Sequence, residues 1–101
     1  MKPIVKVENS VGRIVLLGQF DFTTHKEFRG ACQELLDEDG LSSIEVDFAE
    51  VPYLDSSALG MLLLLKEKAA HKGKSLALIN CRESVRQVLD VACFNKLFTI
   101  R

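Results

Sequence analysis

Apolar and polar positions along this chain change period several times, and each change marks an element. Ile4-Val5-Lys6-Val7-Glu8 and Arg13-Ile14-Val15-Leu16-Leu17 are apolar, β-branched runs flanking Asn9-Ser10-Val11-Gly12. Two such runs around a turn-rich spacer predict a β-hairpin. Gly18 to Thr23 reads as a loop, and Thr24-His25-Lys26-Glu27 as a capping box that opens a helix. Phe28, Ala31, Cys32, Leu35 and Leu36 then recur at helical spacing until Asp39-Gly40 stops the pattern. Ser43-Ile44-Glu45-Val46-Asp47-Phe48 returns to the alternation of a half-buried strand. Pro52 ends it, because proline has no N–H for a ladder.

A strongly apolar helix is expected from about Ser57 to His71, with Gly73 as its stop. Ser75 to Ile79 is apolar on both faces, which suits a central strand. Asn80-Cys81-Arg82-Glu83 reads as a second capping box before a helix with Val85, Val88, Leu89 and Ala92 on one face, and Leu97 to Ile100 as a short last strand. The order ββαβαβαβ predicts an α/β fold: one domain over residues 1–101, with a mixed β-sheet, helices packed on it and right-handed crossovers.

Composition narrows the function more than the fold. A chain of 101 residues is large enough for one core, and 48% hydrophobic with 27% charged residues is ordinary globular usage. The net charge of −1 lacks the basic excess of a nucleic-acid binder. No apolar run reaches the ~20 residues that cross a bilayer, and Met1-Lys2-Pro3 leads into a strand pattern without a signal-peptide core. A cytoplasmic protein with no membrane and no nucleic-acid partner is the expectation. Cys32, Cys81 and Cys93 match no zinc or redox spacing and read as reduced, structural thiols. His25 and His71 are isolated, so no metal is expected, and no Gly-rich phosphate loop suggests a cofactor. Lys66, Lys68, Lys72 and Lys74 read as a solvated helix end, favoured there by the helix dipole.

The chemistry concentrates in Val51-Pro52-Tyr53-Leu54-Asp55-Ser56-Ser57-Ala58-Leu59-Gly60. Asp55, Ser56 and Ser57 fall where the apolar helix needs caps for its free N–H groups. Asp55-Ser56-Ser57-Ala58-Leu59-Gly60 resembles the D-S-S-G-L-G signature of STAS domains, the anti-sigma factor antagonists of bacterial partner-switching systems. Leu17-Gly18-Gln19-Phe20-Asp21 resembles the family's G-E-L-D stretch. Ile44 to Phe48, Leu76 to Asn80, and Ser84 to Leu89 resemble the strand before the signature, the fourth strand and the last large helix. Ala58 departs from the pattern, standing where the family usually has glycine. The resemblance implies a phosphorylatable serine, Ser56, an anti-sigma factor/serine kinase as partner and a PP2C-type phosphatase, with no small-molecule substrate. It also implies that Asp21 lies near Ser56 on the surface that meets the partner.

Each of these residues has a plainer reading. Ser56 is a cap by position alone, and Ser57 is assigned to capping; Ser57, with Asp55 and Gly60, is also expected on the partner-binding surface. Asp55 is an N-cap or turn former, or a carboxylate that orients the Ser56 hydroxyl, and Asp21 is a turn former. On a helical wheel Ala58, Leu59, Leu62, Leu63, Leu65, Ala69 and Ala70 form an apolar arc, with Leu64 opposite and Met61 at its boundary. Met61 and Leu64 are therefore expected to form an exposed apolar contact beside Ser56, with Gly60 leaving room for close approach. Three function classes follow: a phosphorylation-controlled binding module that is not an enzyme, a STAS regulatory subunit of a larger assembly or of a non-sigma output such as motility or biofilm, and a serine hydrolase. The last needs a general base near Ser56, and no motif places one.

Overall fold

A computed structural model describes residues 3–20 and 24–101. Asn9 and Ser10 both take positive φ, 50° and 67°, the geometry of a two-residue type I′ turn, whose twist suits a hairpin. It joins β1 (Ile4–Glu8) to β2 (Val11–Leu17), with Glu8 opposite Val11. The turn is therefore shorter than expected: Val11 and Gly12 belong to β2 rather than to the spacer. Gly12 is needed for packing. A Cβ there would lie 2.7 Å from Leu35 Cδ2 and 2.8 Å from Leu41 Cδ1.

The chain continues through α1 (His25–Leu36), β3 (Ser43–Glu50), α2 (Ser56–His71), β4 (Ser75–Ile79), α3 (Glu83–Val91), a 3₁₀ turn at Phe94–Lys96 and β5 (Thr99–Ile100). This is the expected ββαβαβαβ order. The five strands lie in sequence order, β1 antiparallel at one edge and the other pairings parallel. Ile14, Val46, Leu78 and Ile100 are in register across the sheet. They share one core with buried residues of all three helices, so the helices cover that face. The opposite face carries Arg13, Glu45, Ala77 and Thr99 in one row. There Glu45 accepts from Arg13 at 2.8 Å and from Arg101 at 2.6 Å, and these partners, Arg13 above all, hold its carboxyl below the usual range.

Several local expectations are corrected. Neither capping box closes: the cap position of α1 is Thr24, and its side chain makes no capping bond. Asn80, at φ 57°, turns its amide instead to Asp47, donating to Oδ2 at 3.2 Å. Asp47 is 8% exposed, and a buried carboxylate needs such partners; its Oδ1 accepts from the Ala49 N–H at 2.9 Å. Helix α3 then starts after Arg82, which supplies no side-chain cap. The last strand is two residues long, because Phe94 and Phe98 stack at 5.0 Å and use up the preceding segment.

Lys74 is not part of a solvated run. It is buried, and its Nζ donates to the carbonyls of Glu38 at 2.8 Å and Leu41 at 3.0 Å. It arrives there because Gly73, at φ 70°, ends α2 with the N–H groups of Gly73 and Lys74 bonded back to Ala70 and Ala69, a Schellman closure. The cysteines also differ from one another. Cys32 is buried, Cys81 half-buried and Cys93 exposed. Burial pushes the Cys32 thiol up to about 12 and the Cys81 thiol to about 11.

Candidate functional site

Four parallel strands, β2 to β5, deliver their C-terminal ends to one rim, and in open α/β sheets this is the edge where sites form. The segment after β3 is pinned at two points, since Val51 and Leu54 are buried at 0% and 1%. Leu54 pairs with Phe20 in an isolated parallel bridge. Phe20 in turn packs on Phe28 and Phe48, with ring centroids 4.7 and 6.2 Å away. From the other side, Ser84 Oγ donates to the Pro52 carbonyl at 2.8 Å and Arg82 Nε to the Ala49 carbonyl at 2.8 Å. The start of α2 is thus held by the core below and by α3 beside it.

At that start, Asp55 is the N-cap, with extended backbone (φ −104°, ψ −179°). Its Oδ1 accepts from the Ala58 N–H at 3.0 Å and from the Ser57 hydroxyl at 2.6 Å. The Ser57 hydrogen bond is the main reason the Asp55 carboxyl is held below its ordinary range, and backbone N–H groups lower it further. Ser57 is consequently not the cap expected of it; it is half-buried and supports the cap. Ser56 is the first residue of α2 and is exposed. Among the described residues no hydrogen bond ties its hydroxyl down, and none joins it to His25 or His71. Asp55 orients Ser57, not Ser56.

This arrangement suits an anion. The first N–H groups of a helix lack intrahelical partners, and with the macrodipole they favour negative charge by ~0.3–1 kcal/mol at exposed sites. A phosphate on Ser56 would add roughly −1.5 to −2 charges there.

The other expected contact residues divide. Asp21, like the end of the loop before Thr24, lies outside the described residues; its chain neighbour Phe20 is the residue paired with Leu54. Gly60 is exposed, and a Cβ there would meet nothing within 4 Å. Leu64 is 42% exposed, as expected, and lines a groove of about 370 Å³ with Gln33 and Leu36 of α1. Met61 is only 8% exposed and packs inward, so it cannot be the surface contact expected of it. Leu63 and Ala70, placed in the apolar arc by the helical wheel, are exposed. Buried Ala58 does not adopt positive φ, which fits alanine at a helical position.

Sequence reasoning missed a second apolar feature of the rim. Tyr53, Leu59, Val88, Val91 and Ala92 line an open groove of about 480 Å³ between the start of α2 and α3. Tyr53 is 53% and Val91 86% exposed. The available signal was Val91, an apolar residue off the buried face of α3.

Among the described residues no helix is long and apolar enough to cross a membrane. A family model described as "Mlab, STAS domain" matches residues 5–99. A STAS-domain containing protein of Pseudomonas aeruginosa (strain UCBPP-PA14) is 40% identical over 87 residues, covering 86% of this chain and 84% of the relative. An anti-sigma factor antagonist from Mycobacterium paratuberculosis has the same fold, with a TM-score of 0.85 at 18% identity over 98% of this chain and 83% of that one. The anti-sigma factor antagonist SpoIIAA in its unphosphorylated form gives 0.76 at 18% identity, over 98% of this chain and 86% of its own. The Bacillus cell fate determinant SpoIIAA in its phosphorylated form gives 0.74 at 17%, over 98% and 90%. With a family model spanning nearly the whole chain and a relative at this identity, the chain belongs to the STAS domain family.

Proposed function

We propose that this chain, residues 1–101 as one STAS domain, is a phosphorylation-controlled binding module of a partner switch. It binds an anti-sigma factor/serine kinase while Ser56 is unmodified and is released when Ser56 is phosphorylated; a PP2C-type phosphatase restores it. The observation that carries this reading is the exposed Ser56 hydroxyl on a rigid helix start, in a fold shared with an antagonist known in phosphorylated and unphosphorylated forms. The module itself is not catalytic and works in the cytoplasm. Its partner meets Ser56 together with Asp55, Gly60 and Leu64, and Asp21 by family resemblance.

The physical basis of release is desolvation. A dianionic phosphate in the middle of a docked surface loses its water, and an unpaired buried charge is strongly unfavourable. The test compares Ser56→Ala and Ser56→Asp, affinity-tagged and isolated from native cells. Ser56→Ala should retain the kinase partner, and Ser56→Asp should lose it while melting like the wild type. Equal retention by both variants would refute the reading.

A further inference from the structure

We propose that Asp55 selects which of the two adjacent serines accepts a phosphoryl group, by holding the Ser57 hydroxyl and leaving Ser56 as the open one. This deepens the reading of Ser56 as the modified residue and rests on it. In the transfer, a serine Oγ attacks the terminal phosphorus of a nucleoside triphosphate. The new O–P bond forms, the bond to the departing diphosphate breaks, and the hydroxyl proton passes to a base on the kinase. Both serines carry the same nucleophile, one residue apart, so the motif alone does not distinguish them.

The geometry does. Ser57 Oγ donates to Asp55 Oδ1 at 2.6 Å, the short distance of a hydroxyl bonded to a carboxylate. The same oxygen accepts from the Ala58 N–H at 3.0 Å, so the carboxylate is fixed by the helix backbone and in turn fixes Ser57. To react, Ser57 would have to leave this bond, from a half-buried position. Its attacking oxygen would then receive a triphosphate directly against the Asp55 carboxylate, where like charges repel. Asp55 does not act as a general base for Ser57, because its hydrogen bonds stabilise the ionised form and make it a weak proton acceptor. Ser56 escapes these constraints. It is the first residue of α2, directly after the cap, and is exposed without a bond to a described residue. Asp55 is thus a positioning residue that acts through Ser57.

The test reads the distribution of phosphate between the two serines, by fragmentation mass spectrometry of protein isolated from native cells. Wild type and Ser57→Ala should carry phosphate on Ser56 alone. Asp55→Asn keeps a side-chain oxygen that accepts from Ser57 and Ala58, so it should also stay on Ser56. Asp55→Ala should raise the Ser57 to Ser56 ratio at least tenfold. Asp55→Gly gives the same expectation with little loss of capping, since glycine is a tolerated N-cap, and it covers the case in which the alanine variant fails to fold. A purely structural role for Asp55 would change total phosphorylation or melting temperature, but not this ratio. If folded Asp55→Gly is still modified only on Ser56, the selection by Asp55 is wrong while the Ser56 reading stands. If the wild type carries its phosphate on Ser57, or on neither serine, both readings fall.

Discussion

Lys74→Met isolates one buried interaction. Methionine matches the length and apolar stem of lysine, so the substitution removes the ammonium and little packing. The two carbonyls that lose their donor differ in environment: the bond to Leu41 is buried and the bond to Glu38 only partly so. An unsatisfied buried acceptor costs ~1–3 kcal/mol, and a carbonyl that water can reach much less. Removing a desolvated ammonium returns part of that. The net expectation is a loss of about 2 kcal/mol. For a chain of 101 residues this lowers Tm by roughly 10 °C, at the usual 4–8 °C per kcal/mol for domains near this size. Urea unfolding followed by circular dichroism would measure it as a lower midpoint with unchanged m-value. The staple joins the connection between α1 and β3 to the start of β4, far from the rim, so partner binding by the folded variant should be unchanged. A stability within 0.5 kcal/mol of wild type would refute the view that Lys74 holds these segments together.

Three further outcomes follow from single contacts. Asp55 titrates below the ordinary carboxylate value of ~3.9, so its contribution to stability is complete above that pH and lost as pH falls through its lowered folded value. Ser57→Ala removes the main cause of that lowering, so its acid unfolding curve should be flatter than wild type; identical curves would contradict the hydrogen bond. Gly12→Ala places a Cβ against Leu35 and Leu41 and should cost about 1–3 kcal/mol, as overpacking does, read as a lower Tm. Leu64→Lys exchanges a part-exposed leucine, and should change stability by less than ~1 kcal/mol while weakening partner capture; a core-sized loss of ~2–5 kcal/mol would show that Leu64 packs inward.

The sequence was legible wherever one force dominated. The burial of Phe28, Ala31, Cys32, Leu35 and Leu36 followed from helical spacing because the rest of α1 is polar. Helix α2 gave no such guide. Leucine occupies positions 59, 62, 63, 64 and 65, so the pattern is apolar nearly all round, and packing alone sets which leucines are covered. Met61 was misplaced for that reason, while the buried set of Ala58, Met61, Leu62, Leu65 and Ala69 keeps helical spacing once seen. Capping was misread where a side chain had a longer-range alternative. Asn80 is drawn to Asp47, 33 residues away, and no local motif encodes that choice. Lys74 was lost in a run of lysines because its partners are backbone carbonyls, which leave no trace in side-chain identity. The cap itself was legible at Asp55, but the division of labour between Ser56 and Ser57 depends on which hydroxyl the carboxylate captures.

In the proposed switch, modification of Ser56 abolishes binding without disturbing the fold. Isothermal titration of the kinase partner with the unmodified chain and with the chain phosphorylated on Ser56 tests it most directly. The phosphorylated form should bind at least tenfold more weakly, with an unchanged circular dichroism spectrum and melting curve. Equal affinity of the two forms, or release accompanied by unfolding of the domain, would contradict it.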